Sequence, residues 1–174
     1  MSLLLRRSTI AVFLLVAACS GGSGAATGGP TATAPGYTPA AAATTGAVAG
    51  EPCSFLTAEQ IAAAIGTTPV SVAERIGRGD CDYWLDAAKT AKVNVGVFTG
   101  ADAASLFEQT KGIGTPQVVQ IGDEAYSIDN PSIGTIVVAK KGTSVVSVQV
   151  FTTAPAADRL RQATALVESI LGRL

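Results

Sequence analysis

Thiols and carboxylates are the side chains of this 174-residue sequence that could carry chemistry, because it contains three cysteines and no histidine. Histidine is the most common general base and belongs to most catalytic triads. Lysine would have to replace it beside a serine nucleophile, and the sequence has no serine-x-x-lysine arrangement. We therefore expect no catalytic residues from these patterns, and the cysteines are the first side chains to explain.

Cys19 ends an N-terminal segment that resembles a lipoprotein signal. Arg6 and Arg7 precede an apolar run, 10–18; it is shorter than the roughly 20 residues that span a bilayer and is typical of a signal peptide. Small residues come directly before Cys19, as in the bacterial lipobox, where only a thiol can form the thioether to diacylglycerol. We predict that 1–18 is a signal peptide and that Cys19 carries a lipid that anchors the chain to the outer face of the cell membrane. An ordinary secretory signal is the alternative, and twin-arginine export is a weaker one.

The segment that follows the lipidation site contains no charged residue, and Tyr37 is its only large side chain. Glycine, alanine, threonine and proline dominate it. Such a segment has too little apolar surface to offset the entropy of becoming ordered. We therefore predict a disordered tether over 19–50, which separates the membrane from a folded domain at 51–174.

Cys53 and Cys81 are the cysteines that remain in the predicted domain. Export would place them in an oxidising compartment, where an isolated pair of cysteines is normally a disulfide. Metal ligation is the alternative, but without histidine two thiolates would need carboxylate partners, and no such cluster has ligand spacing. We predict one structural disulfide and no metal or cofactor.

Capping residues and periodicity predict the elements that would position these cysteines. Thr57 and Gln60 form a capping box at the start of the first helix, and Asp102 is expected to be the N-cap of the second. A long apolar stripe after Pro155 predicts the third. The predicted helices cover 57–65, 102–109 and the C-terminal segment, and the predicted strands cover 70–76, 81–85, 92–97, 118–121, 133–140 and 144–151.

The last two predicted strands flank a Lys-Gly-Thr turn at 141–143 and indicate a β-hairpin. Apolar residues alternate along both strands, at Ile136 and Val138 and then at Val146 and Val148. The order of helices and strands implies an α+β domain. We expect an antiparallel sheet with the helices packed on one face.

Three aromatic residues, Tyr83, Trp84 and Tyr126, are candidates for lining a ligand-binding surface. Burial in the core beside a disulfide is the more common outcome for the first two. Asp123 and Glu124 are adjacent carboxylates, but neighbouring side chains in a turn or strand point in different directions. We interpret this pair as a solvated turn rather than a catalytic dyad.

The residues Glu-Pro-Cys-Ser-Phe-Leu-Thr at 51–57, followed by Ile65-Gly66, resemble the opening of a family of actinobacterial, largely mycobacterial, lipoproteins catalogued as domain of unknown function 3558. A second cysteine near an aromatic residue is the other hallmark of that family, and Cys81 with Tyr83 is similar to it. The resemblance extends over 51–174. It implies a lipid anchor and a disulfide, and it implies no activity because none is assigned to the family.

The net charge and the lack of catalytic residue patterns together indicate the expected function. Without the signal peptide, ten basic residues remain against thirteen acidic ones, so the chain lacks the basic surface that binds nucleic acid. We predict a non-catalytic binding or accessory module of the cell envelope, with the membrane and an envelope lipid, glycan or protein as its partners. The alternative is a cell-envelope hydrolase or transferase that uses carboxylates only, which two carboxylates converging in a deep pocket would favour.

Overall fold

An antiparallel β-sheet runs through the part of the chain that the computed structural model describes, residues 47–48 and 51–174. The predicted signal peptide, Cys19 and nearly all of the predicted tether lie outside the described residues. The strands are β1 Ala47–Val48, β2 Ser71–Arg75, β3 Asp80–Trp84, β4 Lys92–Thr99, β5 Gln117–Val118, β6 Glu124–Asn130, β7 Gly134–Lys141 and β8 Ser144–Phe151; the helices are α1 Ala58–Ile65, α2 Ala101–Lys111 and α3 Ala156–Leu171, and a 3-10 turn covers Pro52–Ser54.

The strands lie in the order β2-β3-β4-β8-β7-β6-β5, and β1 pairs with the end of β4. Every neighbouring pair is antiparallel. The central strands β4 and β8 pair along their whole length, from Lys92 opposite Phe151 to Thr99 opposite Ser144. The predicted α+β class and antiparallel sheet are confirmed. Two residues of the predicted tether, Ala47 and Val48, nevertheless belong to the sheet as β1.

The main core lies on one face of the sheet, beneath α1 and α3. Alternate residues of β4 and β8 point to this face, including Val95 and Val148, which lie opposite each other and are fully buried. The apolar stripe predicted for the last helix packs against them, although Leu174 at its end is exposed. The residues that α3 buries are Ala163, Leu166, Val167, Ile170 and Leu171.

The second core lies on the opposite face, beneath α2. Phe107 of α2 packs edge-to-face against Tyr126, with the ring centroids 4.9 Å apart, and both belong to one buried apolar cluster with Ile136 and Val138 of β7. Two helices therefore share one face as expected, whereas α2 covers the other. The six residues at 134–139 are buried on both sides of the sheet, so alternation along this strand does not reveal which residues belong to which core.

The predicted disulfide and capping box are both present at the start of α1. Cys53 in the 3-10 turn is bonded to Cys81 of β3. Thr57 accepts a hydrogen bond from the Gln60 backbone N–H, and the Gln60 side chain accepts one from the Thr57 N–H. Residue Gly66 then ends the helix with a φ of +83°, the left-handed conformation that glycine adopts without strain. These local signals fix where α1 begins, where it ends and which strand it is tied to.

Several predicted ends differ by one or two residues, and three predictions differ more: β6, Glu124–Asn130, is missing from the predicted strands, and the N-cap of α2 and the extent of β5 are wrong. Asp102 lies inside the first turn of α2, and Gly100 is the N-cap residue. The predicted strand at 118–121 is reduced to Gln117–Val118, because only these residues pair with β6. Within the described residues, no helix is both long enough and apolar enough to cross a membrane.

A polar network fixes the start of α3 to the sheet. Arg159 donates hydrogen bonds to Asp129 (2.7 Å) and to the Thr135 hydroxyl (3.1 Å), while Thr135 also donates to Asp129. These hydrogen bonds from Thr135 and Arg159 lower the pKa of Asp129, because they favour the ionised carboxylate. The network joins α3 to β6 and β7.

We predict that removing the disulfide with Cys53→Ala and Cys81→Ala together lowers the free energy of unfolding by about 3–4 kcal/mol. The bridge closes a loop with a sequence separation of 28, and losing it restores the chain entropy of the unfolded state. Urea unfolding of the mature chain, followed by circular dichroism, measures the change. A decrease below about 1 kcal/mol would show that the bridge is not a structural staple.

The Asp129 network predicts a pH dependence. A carboxylate with a lowered folded-state pKa stabilises the protein above its unfolded pKa, and this contribution disappears as the pH falls through the folded pKa. Because the Asp129 side chain is 41% exposed, solvent screening keeps the effect to about 1 kcal/mol or less. Asp129→Asn is therefore expected to be less stable than the wild type at pH 7, and the difference should vanish in acid.

Unfolding curves measured from neutral to acidic pH test this expectation. The matched control is Asp158→Asn, which removes an exposed ion pair with Arg161 on the same helix. An equal pH-dependent difference for both variants would contradict the assignment to Asp129.

Candidate functional site

A cleft of about 610 Å³ lies on the α2 face of the sheet. The strands β4, β7 and β8 form its floor, α2 forms one wall, and the β2–β3 hairpin forms the other. Cavities of about 300–1,000 Å³ are the usual size for small-ligand sites. This cleft is therefore the candidate functional site.

Polar residues of the two central strands form the middle of the floor. The pairing of β4 with β8 places Asn94 opposite Gln149 and Gly96 opposite Ser147. The valines that alternate with them point into the main core on the other face. Because successive side chains of a strand point to opposite faces, the same register that buries the valines directs these polar groups into the cleft.

A charged network borders the floor on the hairpin side. Asp80 accepts hydrogen bonds from Arg75 and from Asn94, each at 3.0 Å. Asp82 accepts them from Lys92 (3.0 Å) and from Asn94 (2.9 Å). Asp82 and Asn94 are both more than nine-tenths buried, where an unpaired charge would be costly. The two carboxylates are balanced by two cations, so the network is neutral.

Several oxygens of the floor have no hydrogen-bond donor within residues 51–174. The Asn94 amide nitrogen is committed to the two carboxylates, and the Gln149 amide nitrogen donates to the Ile133 carbonyl. No described residue donates a hydrogen bond to either amide oxygen or to the Ser147 hydroxyl; Asn94 is buried, and Ser147 and Gln149 are partly buried. The second oxygen of Asp80 is buried and also lacks a donor. The floor therefore offers hydrogen-bond acceptors.

An aromatic ring lies across the strand beside these acceptors. A Cβ atom at Gly96 would come within 2.6 Å of the Phe98 ring, so the glycine is what allows the ring to occupy this position. Val145, opposite Phe98, and Val138 and Ile136 on β7 extend the apolar surface toward α2. The floor thus has a polar half near the hairpin and an apolar half near the helix.

The two walls each carry one charged residue that makes no ion pair with any described residue. Arg78 lies in the β2–β3 turn and Asp102 in the first turn of α2, and both are exposed. Asp102 there also interacts favourably with the positive end of the helix dipole. Opposite charges on facing walls leave the cleft as a whole close to neutral.

Two of the three predicted aromatic residues lie in the cores. The Tyr83 hydroxyl donates to the Leu56 carbonyl (2.8 Å) on the main-core face, and the Tyr126 hydroxyl donates to the Phe107 carbonyl (2.6 Å) on the other. Burial raises the pKa of Tyr83 and raises that of Tyr126 to about 12. Both tyrosines are thus structural, and the sheet separates them.

Trp84 is partly exposed on the cleft face but does not line the cleft. The ammonium groups of Lys92 and Lys89 lie 5.0 and 5.6 Å from its ring centroid, within the distance of a cation–π interaction. The three candidate residues therefore do not form one site. No three metal-binding side chains converge anywhere in the described part of the chain.

Several carboxylates outside the cleft are engaged in separate local contacts. Asp86 accepts hydrogen bonds from the Thr90 backbone within a turn, which lowers its pKa. Asp123 accepts one from the Gly142 N–H, and Glu124 pairs with Lys111. Asp80 and Asp82 both accept hydrogen bonds from Asn94, and both are ion-paired.

Polar residues that interrupt the alternating valines of two strands are the sequence feature that corresponds to the cleft floor. Asn94 interrupts a run of alternating valines in β4, and Ser147 and Gln149 interrupt another in β8. Each pattern alone is typical of a strand with one solvent-facing side. The two patterns form one polar surface only because β4 pairs with β8. That pairing cannot be read from the sequence, since 44 residues separate the two strands.

Comparisons with known proteins add little to this geometry. No protein-family model matches the chain, and no curated protein matches it. A crystal structure from Bacteroides thetaiotaomicron VPI-5482, at 1.50 Å resolution, is similar over 55% of this chain and 40% of that one, with 13% sequence identity and a TM-score of 0.35. The chain thus matches less than half the length of that protein, and membership of the lipoprotein family stays a prediction.

Proposed function

We propose that the mature protein is a lipid-anchored lipoprotein on the extracytoplasmic face of the cell membrane, and that it binds an envelope ligand in the cleft without catalysing a reaction. The anchor part of this proposal rests on the sequence around Cys19. The binding part rests on one observation: Asn94, Ser147 and Gln149 line the cleft floor with side-chain oxygens to which no described residue donates a hydrogen bond. Polar groups that are held in place inside a concave site orient a ligand and make its binding specific.

The geometry of the carboxylates supports binding rather than catalysis. A general acid or base must lie within hydrogen-bond reach of the substrate atom with which it exchanges a proton. Asp80 and Asp82 are instead occupied by ion pairs with Arg75 and Lys92 at 3.0 Å and by hydrogen bonds from Asn94. These groups are thus arranged to hold the floor rigid.

A carboxylate-only hydrolase or transferase is the second candidate. The observation that favours it is the presence of Asp80 and Asp102 on opposite walls of one cleft. In such an enzyme Asp102, which has no ion pair among the described residues, would be the acid or base. Turnover of a ligand by the wild type that Asp102→Asn abolishes, while the variant still binds that ligand, would replace the binding proposal.

The anchor is tested by Cys19→Ala. Without the thiol no thioether to diacylglycerol can form, so we expect the variant to remain uncleaved or to lose the lipid mass. Intact mass spectrometry of the membrane fraction measures both, with Ser20→Ala as the control that keeps the thiol. Normal lipid-modified maturation of Cys19→Ala would refute the anchor.

Binding in the cleft is tested by native mass spectrometry of the protein purified from its own membrane. We expect the wild type to retain a ligand or a stoichiometric partner. Ser147→Trp, which places a large side chain on the floor, should abolish that retention, whereas Thr143→Trp in the exposed β7–β8 turn should not. A bare wild-type monomer that binds neither envelope lipid nor protein, or equal retention by Ser147→Trp, would contradict the proposal.

A further inference from the structure

We infer that the cleft takes a neutral carbohydrate, with one edge of a sugar ring on the acceptor oxygens and one face of the ring on Phe98. This inference rests on the proposed binding function and names the ligand class. It is carried by three properties of the cleft: its charge balance, its excess of acceptors, and its division into polar and apolar halves.

The charge balance disfavours an ionic ligand. Asp80 and Asp82 are neutralised by Arg75 and Lys92. The walls add one guanidinium and one carboxylate that form no ion pair with a described residue, those of Arg78 and Asp102. A phosphate would be attracted by Arg78 and repelled by Asp102, and an ammonium ion would experience the reverse, so the cleft has no excess charge that favours either ion.

The acceptor oxygens select a ligand that donates hydrogen bonds. The amide oxygens of Asn94 and Gln149 lie on directly paired residues of adjacent strands, and Ser147 is two residues away on the same face. Directly paired residues of an antiparallel sheet have Cβ atoms about 5 Å apart, which is within reach of adjacent hydroxyls of one sugar ring. A hydroxyl donates to such an oxygen and can still accept from a guanidinium on the wall.

A hydrocarbon chain would fit the polar half poorly, since it would cover these oxygens without donating to them. The apolar half suits the C–H face of the same ring. The Phe98 ring lies across Gly96, two residues from Asn94 along β4, and Val145 lies opposite the ring on β8. The face of an aromatic ring carries partial negative charge, which attracts the polarised C–H groups of a sugar. The acceptor oxygens of the floor lie beside the Phe98 ring. This arrangement matches a sugar ring, which has hydroxyls along its edge and C–H groups on its face.

The test uses the full mature, lipidated chain in a detergent without a sugar headgroup, because a maltoside or glucoside would compete for the cleft. The probes are D-glucose, D-mannose, D-galactose, D-arabinose and N-acetyl-D-glucosamine, with inorganic phosphate as the charged probe. Methyl NMR of labelled isoleucine and valine reports binding. We expect at least one sugar to shift the methyl signals of Ile136 and Val145 in the cleft, while Val137 and Val167 in the main core and all signals with phosphate stay in place.

Two variants separate the stacking from the hydrogen bonds. Phe98→Leu keeps an apolar side chain but removes the ring, and we expect it to weaken binding of that sugar by roughly tenfold. Phe151→Leu is the matched control, because Phe151 is also partly buried at the end of a paired strand but lies outside the cleft. Ser147→Ala, which removes a single oxygen, should weaken binding several-fold without changing the unfolding curve.

Three results would overturn the inference. If no sugar shifts the cleft methyls while native mass spectrometry still shows a ligand that Ser147→Trp displaces, the carbohydrate class is wrong and the binding function stands. If a sugar binds equally well to the wild type, Phe98→Leu and Ser147→Ala, the ring and the acceptors are not its site. A bare protein in both experiments would remove the proposed function together with the inference.

Discussion

The pairing of β4 with β8 is the constraint on which the rest of the structure depends. Its eight residue pairs place valines on one face and polar residues on the other, so a single register decides both the main core and the cleft floor. If β4 slipped by one residue relative to β8, Asn94 would point under α3 while Gln149 stayed on the cleft floor, and the valines of β4 would leave the main core. The free energy gained by burying the valines therefore also holds the acceptor oxygens in position, although those oxygens contribute nothing to the core themselves.

Local features of the fold could be predicted because they depend on residues close together in sequence. The capping box of Thr57 and Gln60 and the apolar stripe of the last helix are of this kind, and both are confirmed. The disulfide could be predicted because the region has only two cysteines. The placement of α2 could not, since it depends on β7 being buried on both faces. Ile136 and Val138 thus lie in the second core, and the alternation of apolar residues could not assign them to it.

The candidate site could not be predicted either, because it also depends on contacts between residues that are distant in sequence. The aromatic residues chosen from the sequence are large and uncommon here, which makes them conspicuous, but Tyr83 and Tyr126 use their hydroxyls to bind backbone carbonyls in the two cores. The cleft is built instead from modest residues, an asparagine, a serine and a glutamine, on strands that are neighbours only in the folded sheet. Their significance follows from register, and register between distant strands is a tertiary property that local patterns do not encode.

The two faces of β3 link the disulfide to the cleft. Cys81 points into the main core and is bonded to Cys53, while Asp80 and Asp82 on either side of it point to the charged network. The wall of the cleft belongs to a hairpin whose outer strand, β2, pairs only with β3. A bond that fixes β3 to the turn before α1 therefore also limits how far the Arg75–Asp80 wall can move away from the floor. Formation of the disulfide would thus affect the cleft as well as stability, because β3 carries the disulfide on one side and the charged border of the floor on the other.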